Sequence, residues 1–459
     1  VDLTGMGDRK LEVDPARRIA TVSPGITARE LQEAGAPHGL RLPPDPSSGR
    51  WATLGGMVST NAAGARSLRY GSVRRWVRGI SMIDGSGAEC AMSRGGDKQH
   101  GPLVGRLAEL EPGWRRAENL IRAHFPRTRK NASGYALDAW LESGDLVDLV
   151  IGAEGTLGFI TEIEWELAPV PAHRAGIRLD LRNLGDLADT TRALLGLDPS
   201  AIEVLDRSFL EISGESDTLA TGTAAVLLVE LESDDFRTLR GRVGDAVRLT
   251  QSWTGDVATA LTPDEEHAIW ALRRAASPRI ASLPEDRRSL QVIEDACVPL
   301  ERTGDYITGV RRVTGTHGVP AVIFGHAGDG NIHVNLIPRL DRPGWTEAVE
   351  KILEEVSALV LALGGTTTGE HGDGRIRAGL LEDRFGPELI ALFQGIKEAC
   401  DPDGIMNPGV KLSDRPAPMS NLKAGADAVP LPDDISRALR SIERGGGYAQ
   451  NRLLLADRT

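Results

Sequence analysis

Apolar and polar positions follow recognisable periods along this chain. Ile19–Val22 is a short β-branched run closed by Pro24-Gly25, which predicts a strand and a turn. Thr27-Ala28-Arg29-Glu30 has the spacing of a capping box, so a helix is predicted to begin there with Thr27 as its cap. Gly79–Met92 alternates about Asp84-Gly85-Ser86-Gly87 and predicts a hairpin. Asp148–Ile163 mixes strand residues with glycines at 152, 155 and 158. Thr262-Pro263-Asp264-Glu265 opens another helix, with Thr262 as cap and Pro263 in its first turn. Pro320–Ile337 predicts two strands around the turn Gly328-Asp329-Gly330. In the second of them Asn331, His333 and Asn335 share one face, which puts His333 on a polar face and not in the core. Thr346–Leu363 carries an apolar stripe of helical period that Gly364 ends, and Pro387–Cys400 predicts one more helix. Residues 43–64, rich in Pro, Gly, Ser and Asn, read as loop.

At 459 residues the chain is too long for a single core. Composition shifts beside Pro169-Val170-Pro171, which predicts domains at 1–168 and 169–412, with 413–459 as a Pro- and Asp-rich linker or tail of weak helical pattern. A net charge of −12 without any Lys/Arg-rich run argues against nucleic acid or an anionic membrane surface as partner. Cys90, Cys297 and Cys400 are far apart and no CxxC pair occurs, so neither an iron–sulfur cluster nor a cysteine zinc site is encoded. Their sparseness also suits a reducing, cytoplasmic setting. No apolar run approaches the ~18 residues of a transmembrane segment.

The densest chemistry lies in two glycine-flanked runs, Gly325-His326-Ala327-Gly328-Asp329-Gly330-Asn331-Ile332-His333 and Thr368-Gly369-Glu370-His371-Gly372-Asp373-Gly374. The turn folds His326 back toward His333. Two imidazoles and the Glu370 carboxylate make a ligand set for a divalent metal, zinc by preference, with positions left open for substrate. Adjacent side chains of an extended segment point apart, so Glu370 and His371 are expected to divide the work, one as ligand and the other as acid/base. Capped turns with surface histidines are the bland alternative, and a zinc hydrolase with Glu370 or His371 activating a metal-bound water is another. Neither GxGxxG nor GxxxxGK[ST] occurs. Pro43-Pro44-Asp45-Pro46-Ser47-Ser48 and the run Thr53–Gly64 could instead cradle phosphates or the polar edge of a flavin.

Thr53–Gly64, Tyr70-Gly71-Ser72 and Gly152-Ala153-Glu154-Gly155-Thr156-Leu157-Gly158 resemble the flavin-binding domain of the vanillyl-alcohol-oxidase type. The two histidine runs, with Asn407-Pro408-Gly409, resemble the C-terminal domain of FAD-linked 2-hydroxy-acid dehydrogenases: D-lactate and D-2-hydroxyglutarate dehydrogenases and the FAD subunit of glycolate oxidase. Trp270–Arg274 and Val292–Asp295 are similar to the subgroup fused to an iron–sulfur module. The resemblance implies an α+β, two-domain flavoprotein, with a PCMH-type FAD-binding domain and an antiparallel-sheet-and-helix substrate domain. It implies FAD lined by Pro44, Asp45, Ser48, Thr53, Gly55, Gly56, Asn61, Gly64, Gly155, Gly158 and Ile160, with Asn407 approaching from the second domain. It implies a metal on His326, His333 and Glu370. His371 would take the substrate hydroxyl proton as hydride leaves for flavin N5, and Arg273 would clamp the substrate carboxylate. A solvated pair with Arg274 is the other reading of Arg273.

Electrons would pass to an iron–sulfur module, a quinone or an electron-transfer protein. A location peripheral to the inner membrane is compatible with such acceptors. Two departures from the family bear on this expectation. The Arg-Gly-Gly-Gly-Thr-like loop that grips the FAD pyrophosphate does not occur before residue 19, so the chain reads as N-terminally truncated and is expected to hold FAD weakly. Ile293-Glu294-Asp295 stands where hydroxyglutarate-type relatives tend to carry a second cation, which leaves the choice of 2-hydroxy acid open.

Overall fold

The structure is a computed structural model that describes residues 9–214, 222–281, 283, 284, 286–413, 425, 428 and 431–444. Val1-Asp2-Leu3, which reads from the sequence as the end of a strand, lies outside them, as does most of the 413–459 tail. Within that tail Asp433–Arg444 is helical. Two compact units emerge. The first takes Val1–Pro171, Asp295–Pro299 and Gly364–Pro418, and the second takes Ala172–Glu294, Leu300–Leu363 and Met419–Thr459.

The strands of the first unit are, in chain order, β1 (Leu11–Asp14), β2 (Ile19–Val22), β3 (Leu40–Arg41), β4 (Val77–Ile83), β5 (Glu89–Ser93), β6 (Phe159–Glu166) and β7 (Ala168–Pro169). Five of them pair antiparallel in the order β1-β2-β6-β4-β5, while β3 pairs with β7. The hairpin expected over Gly79–Met92 is β4–β5. Its turn is fixed by Asp84, whose Oδ1 accepts from the amides of Ser86 and Ala88. Helix α1 (Ala28–Gly35) starts with the expected capping box: Glu30 N donates to Thr27 Oγ1, and Thr27 N donates to Glu30 Oε2 at 2.7 Å.

The stretch read as loop hides a second helix, α2 (Leu54–Thr60), capped by Thr53. Its glycines and serine mask the helical period, but Leu54, Met57 and Val58 are buried on one side. Helix Leu381–Cys400 is interrupted at Gly386, with Pro387 opening the second, longer part predicted from the sequence. This helix is in the stretch assigned from the sequence to the second domain. Its apolar side nevertheless completes the core of the first unit, with Phe385 and Phe393 at 5.0 and 6.3 Å from Phe125 and Tyr135 at 5.7 Å from Phe393. Gly134 permits that approach, since a Cβ there would meet the Phe393 ring at 2.7 Å.

A buried ion network stiffens the first unit. Asp148, 2% exposed, takes Arg94 on both oxygens at 2.8 Å, Arg74 at 3.0 Å and the Ser143 hydroxyl at 2.7 Å. Burial by itself raises the Asp148 carboxyl, but Arg94 and Arg74 outweigh it and hold the group below its ordinary 3.8. A depressed carboxyl stabilises the fold above its unfolded-state value and loses that contribution as the pH falls through the folded-state value. The denaturation midpoint is therefore expected to drop as the pH falls through 3.8 and on through the lowered folded-state value, and Asp148→Asn is expected to flatten that slope in urea melts.

In the second unit β8 (His173–Leu181), β9 (Ala201–Asp206), β10 (Ala225–Ser233) and β11 (Thr254–Ala260) pair antiparallel in the order β11-β8-β10-β9. The expected hairpin, Ala321–His326 with Asn331–Leu336, joins the sheet by pairing its first strand with β9. Helices Pro263–Ala281 and Trp345–Ala362 form as cap and stripe predict, and Thr303–Thr316 is a further helix that the sequence reading did not single out. Residues of β9 and of the second hairpin strand are buried on both faces. The polar face of Asn331, His333 and Asn335 is thus interior, at 0%, 6% and 6% exposure, so His333 is buried and not outside the core as the alternation suggested.

Candidate functional site

The hairpin of the second unit brings two imidazoles together. His326 ends the first strand and His333 lies in the second, and the two Nε2 atoms stand 3.2 Å apart. Each ring is held from behind by Nδ1. His333 Nδ1 donates to the Glu294 carbonyl at 3.0 Å, and His326 Nδ1 donates to Glu203 Oε1 at 2.5 Å. A carbonyl or carboxylate can only accept, so both Nδ1 atoms carry hydrogen; in the neutral form each ring then turns an Nε2 lone pair toward the other, and a protonated ring would donate from its Nε2 to its neighbour. Two nitrogens bound to one tetrahedral zinc at about 2.05 Å would stand about 3.3 Å apart. The donor set therefore fits a divalent cation, in the pattern where an outer acceptor orients each ligating histidine.

Arg273, on helix Pro263–Ala281, donates from Nε to Glu203 Oε2 at 2.8 Å and stacks over the Phe324 ring at 4.5 Å. It is anchored, not solvated as one of a surface pair. Among the described residues its terminal Nη atoms form no hydrogen bond, which leaves a planar two-pronged edge of the kind that binds a carboxylate. Glu203 is fully buried. Burial pushes its carboxyl up, but His326 and Arg273 outweigh burial and hold it well below the ordinary 4.5. Sequence reading missed this residue. Its one signal was an acid inside the apolar run Ala201-Ile202-Glu203-Val204-Leu205.

The first unit carries the other histidine run. Asp295 Oδ2 accepts from Thr368 Oγ1 at 2.7 Å and from the amides of Glu370 and His371 at 2.9 and 2.7 Å. It pins the loop from beneath, which is the work found for an acid at the position where a second cation was sought. Glu370 is buried, with Oε2 paired to the buried Lys130 ammonium at 2.9 Å, while the His371 side chain is 44% exposed. The segment bends instead of running extended, so the two neighbours do not point fully apart: His371 Nε2 lies 3.8 Å from Glu370 Oε1.

Beneath that loop sits Lys411, completely buried. Its ammonium donates to Asp373 at 3.0 Å and to the Ala132 and Gly134 carbonyls at 2.9 Å, with Glu154 Oε1 at 3.1 Å. Glu154 in turn accepts from the amides of Asp373 and Gly374 at 2.7 and 2.8 Å. Lys130, Asp295, Glu154 and Lys411 were all absent from the sequence-based site, because their partners are distant along the chain.

The residues predicted to line FAD share this unit. Thr53 Oγ1 caps α2 by accepting from Gly56 N, and Gly55 packs so tightly on Pro24 that a Cβ would meet it at 2.6 Å. The end of α2 receives the glycine turn, with Gly152 N donating to Val58 O and Glu154 N to Ser59 O. Asn61 Oδ1 accepts from Arg74 N at 3.1 Å. Asn407 Nδ2 donates to Glu154 O at 2.7 Å, so Asn407 belongs to the same unit as the other residues of the set, and not to the second one as expected. Gly64 packs against Asp45, whose carboxylate pairs with Arg66; Pro44 is buried and Ser48 exposed. Gly158 precedes β6, which contains Ile160. A Cβ at Gly155 would meet nothing within 4 Å, which suits the close backbone approach that a flat cofactor needs.

The chain is an FAD-linked oxidoreductase. Residues 1–93 match the FAD binding domain family, and residues 170–410 match the C-terminal domain of FAD linked oxidases. The chain belongs to this FAD-linked oxidase family. It is 30% identical over 412 residues to the glycolate oxidase subunit GlcD of Bacillus subtilis, covering 87% of this chain and 76% of that one. Against the D-lactate dehydrogenase of Archaeoglobus fulgidus it is 29% identical, covering 87% and 78%. Against the D-2-hydroxyglutarate dehydrogenase of Escherichia coli it is 27% identical, covering 89% of this chain and 43% of that longer one. In fold it is similar to the 4-ethylphenol oxidase of Gulosibacter chungangensis, with a TM-score of 0.63 at 15% identity and 89% and 79% coverage. Among the described residues no helix is long and apolar enough to cross a membrane.

Proposed function

We propose that this protein oxidises a D-2-hydroxy acid to the 2-oxo acid and passes the electrons to an acceptor other than oxygen: an iron–sulfur module, a quinone or an electron-transfer protein. The observation that carries the reading is the facing pair of Nε2 atoms of His326 and His333, anchored from behind and 3.2 Å apart. Glu370 is the third proposed ligand, on the sequence resemblance. When bound, the metal would supply a Lewis acid for the substrate hydroxyl, and FAD would supply a hydride acceptor.

The chain's own residues do the remainder. Arg273 presents its Nη edge to the substrate carboxylate and fixes which way the acid lies. His371, the exposed ring on the Asp295-pinned loop, accepts the hydroxyl proton. Thr53, Gly55, Gly56, Asn61, Gly64, Gly155, Gly158, Ile160 and Asn407 hold the flavin, with Pro44, Asp45 and Ser48 at its edge. Three buried free thiols accord with a reducing compartment, the cytoplasm or the inner face of its membrane.

The full chain, supplied with FAD and a divalent metal, is expected to show flavin absorption bands that bleach on adding one D-2-hydroxy acid from a panel of D and L forms. A redox dye should be reduced in the same reaction, and chelation of the metal should abolish it. Metal without flavin bleaching would favour a hydrolase. Neither signal would make the chain a non-catalytic binding fragment.

A further inference from the structure

Glu203 contacts no substrate or metal in the reading above, yet its carboxylate is hydrogen-bonded to both His326 and Arg273 of the second unit. In the sheet register it stands directly opposite His326, with Leu205 opposite Phe324. One carboxylate oxygen accepts from His326 Nδ1 at 2.5 Å and the other from Arg273 Nε at 2.8 Å. Phe324, two residues before His326 on the same strand, lies under the Arg273 guanidinium at 4.5 Å and 5.3 Å from the His333 ring. The imidazole pair and the arginine are thus built around a single fully buried acid.

We propose that Glu203 is a positioning residue that couples the metal-binding face of His326 to the carboxylate-binding edge of Arg273. Its two oxygens fix the two groups in one geometry. The acceptor on Nδ1 selects the tautomer that turns Nε2 toward His333. The acceptor on Nε leaves the Nη1 and Nη2 edge of the arginine for a ligand. This inference rests on the metal reading of the histidine pair.

Glutamine keeps the shape of Glu203 but replaces one acceptor with a donor, so it cannot accept from both His326 and Arg273. In the full chain, Zn²⁺ affinity measured by chelator competition should fall about 10- to 100-fold in Glu203→Gln, the usual cost of losing an outer-sphere partner. The KM for the hydroxy acid should rise in the same variant. Arg273→Met should raise KM while leaving Zn²⁺ affinity within about threefold of wild type, since it removes no partner of His326. The double variant Glu203→Leu/Arg273→Met should be weak in Zn²⁺, because leucine offers His326 no acceptor whether or not the arginine is present. Recovery of Zn²⁺ affinity in the double variant would show that Glu203 only neutralises Arg273, and would overturn the inference. So would unchanged Zn²⁺ affinity in folded Glu203→Gln. Should Glu203→Gln fail to fold, Glu203→Asp keeps the charge but shortens the reach, and the same two readings apply to it: weakened Zn²⁺ supports the coupling and wild-type Zn²⁺ overturns it. Wild-type protein that takes up no Zn²⁺ at all overturns the metal reading itself, and the inference with it.

Discussion

Replacing His371 by alanine is expected to leave flavin and metal content at the wild-type level and to lower turnover by about 100- to 10,000-fold, the range for loss of a general base. The ring projects to 44% exposure, whereas its neighbour Glu370 is buried against Lys130. The loop beneath is held by main-chain amides: those of Glu370 and His371 donate to Asp295, and those of Asp373 and Gly374 donate to Glu154. None of these bonds uses the imidazole, so its removal should not melt the loop. Dye-reduction kinetics with the accepted hydroxy acid, alongside the flavin spectrum and metal content, measure both parts. Wild-type kcat in the alanine variant would remove His371 from the chemistry. A loss of metal along with activity would instead make it a ligand.

The largest effect on stability should come from Lys411→Met. The ammonium is fully buried among Asp373, Glu154 and two carbonyls. Burial by itself pulls the Lys411 pKa down, but Asp373 and Glu154 outweigh it and raise the group above its ordinary 10.5. A raised folded-state value means the contribution is complete below about pH 10 and is lost only as pH rises through that value, so the lysine is charged at every working pH. Methionine fills the volume but leaves two carboxylates without their cation, an error that costs about 3–5 kcal/mol in buried pairs. Urea unfolding monitored by tryptophan fluorescence should show that loss. Adding Asp373→Asn should recover part of it. An unchanged midpoint in Lys411→Met would mean that the carboxylates are compensated some other way.

Local rules made much of the fold legible. The capping box at Thr27, the Asp84 turn and the apolar stripe of Trp345–Ala362 are each decided by residues within a few positions of one another, and each forms as read. Helix α2 escaped because glycine and serine fill its surface positions, so its few buried residues show no clear period. The candidate site was legible only where its chemistry is conspicuous. His326, His333, Glu370 and His371 stand in glycine-rich runs, whereas Glu203 is 123 residues from His326 and Lys411 is 257 residues from Glu154. Those pairings depend on strand register and on the return of the chain to the first unit, neither of which local periodicity encodes. Burial of polar groups was also misplaced for a physical reason. The alternation of Asn331, His333 and Asn335 correctly gives a polar face, but such a face is put in the interior when other polar groups line it.

The way helix Leu381–Cys400 returns to the first unit also sets an order for synthesis. A chain made from its N-terminus exposes Phe125 and Tyr135 long before Phe385 and Phe393 exist to cover them. Residues 172–294 and 300–363 emerge in between and can fold around their own sheet while the first core waits. At ~5–20 residues per second that wait lasts ~10–50 s, ample time for an aromatic face to find another nascent chain. The first unit is therefore the part of this protein whose aromatic core stays uncovered until late in synthesis.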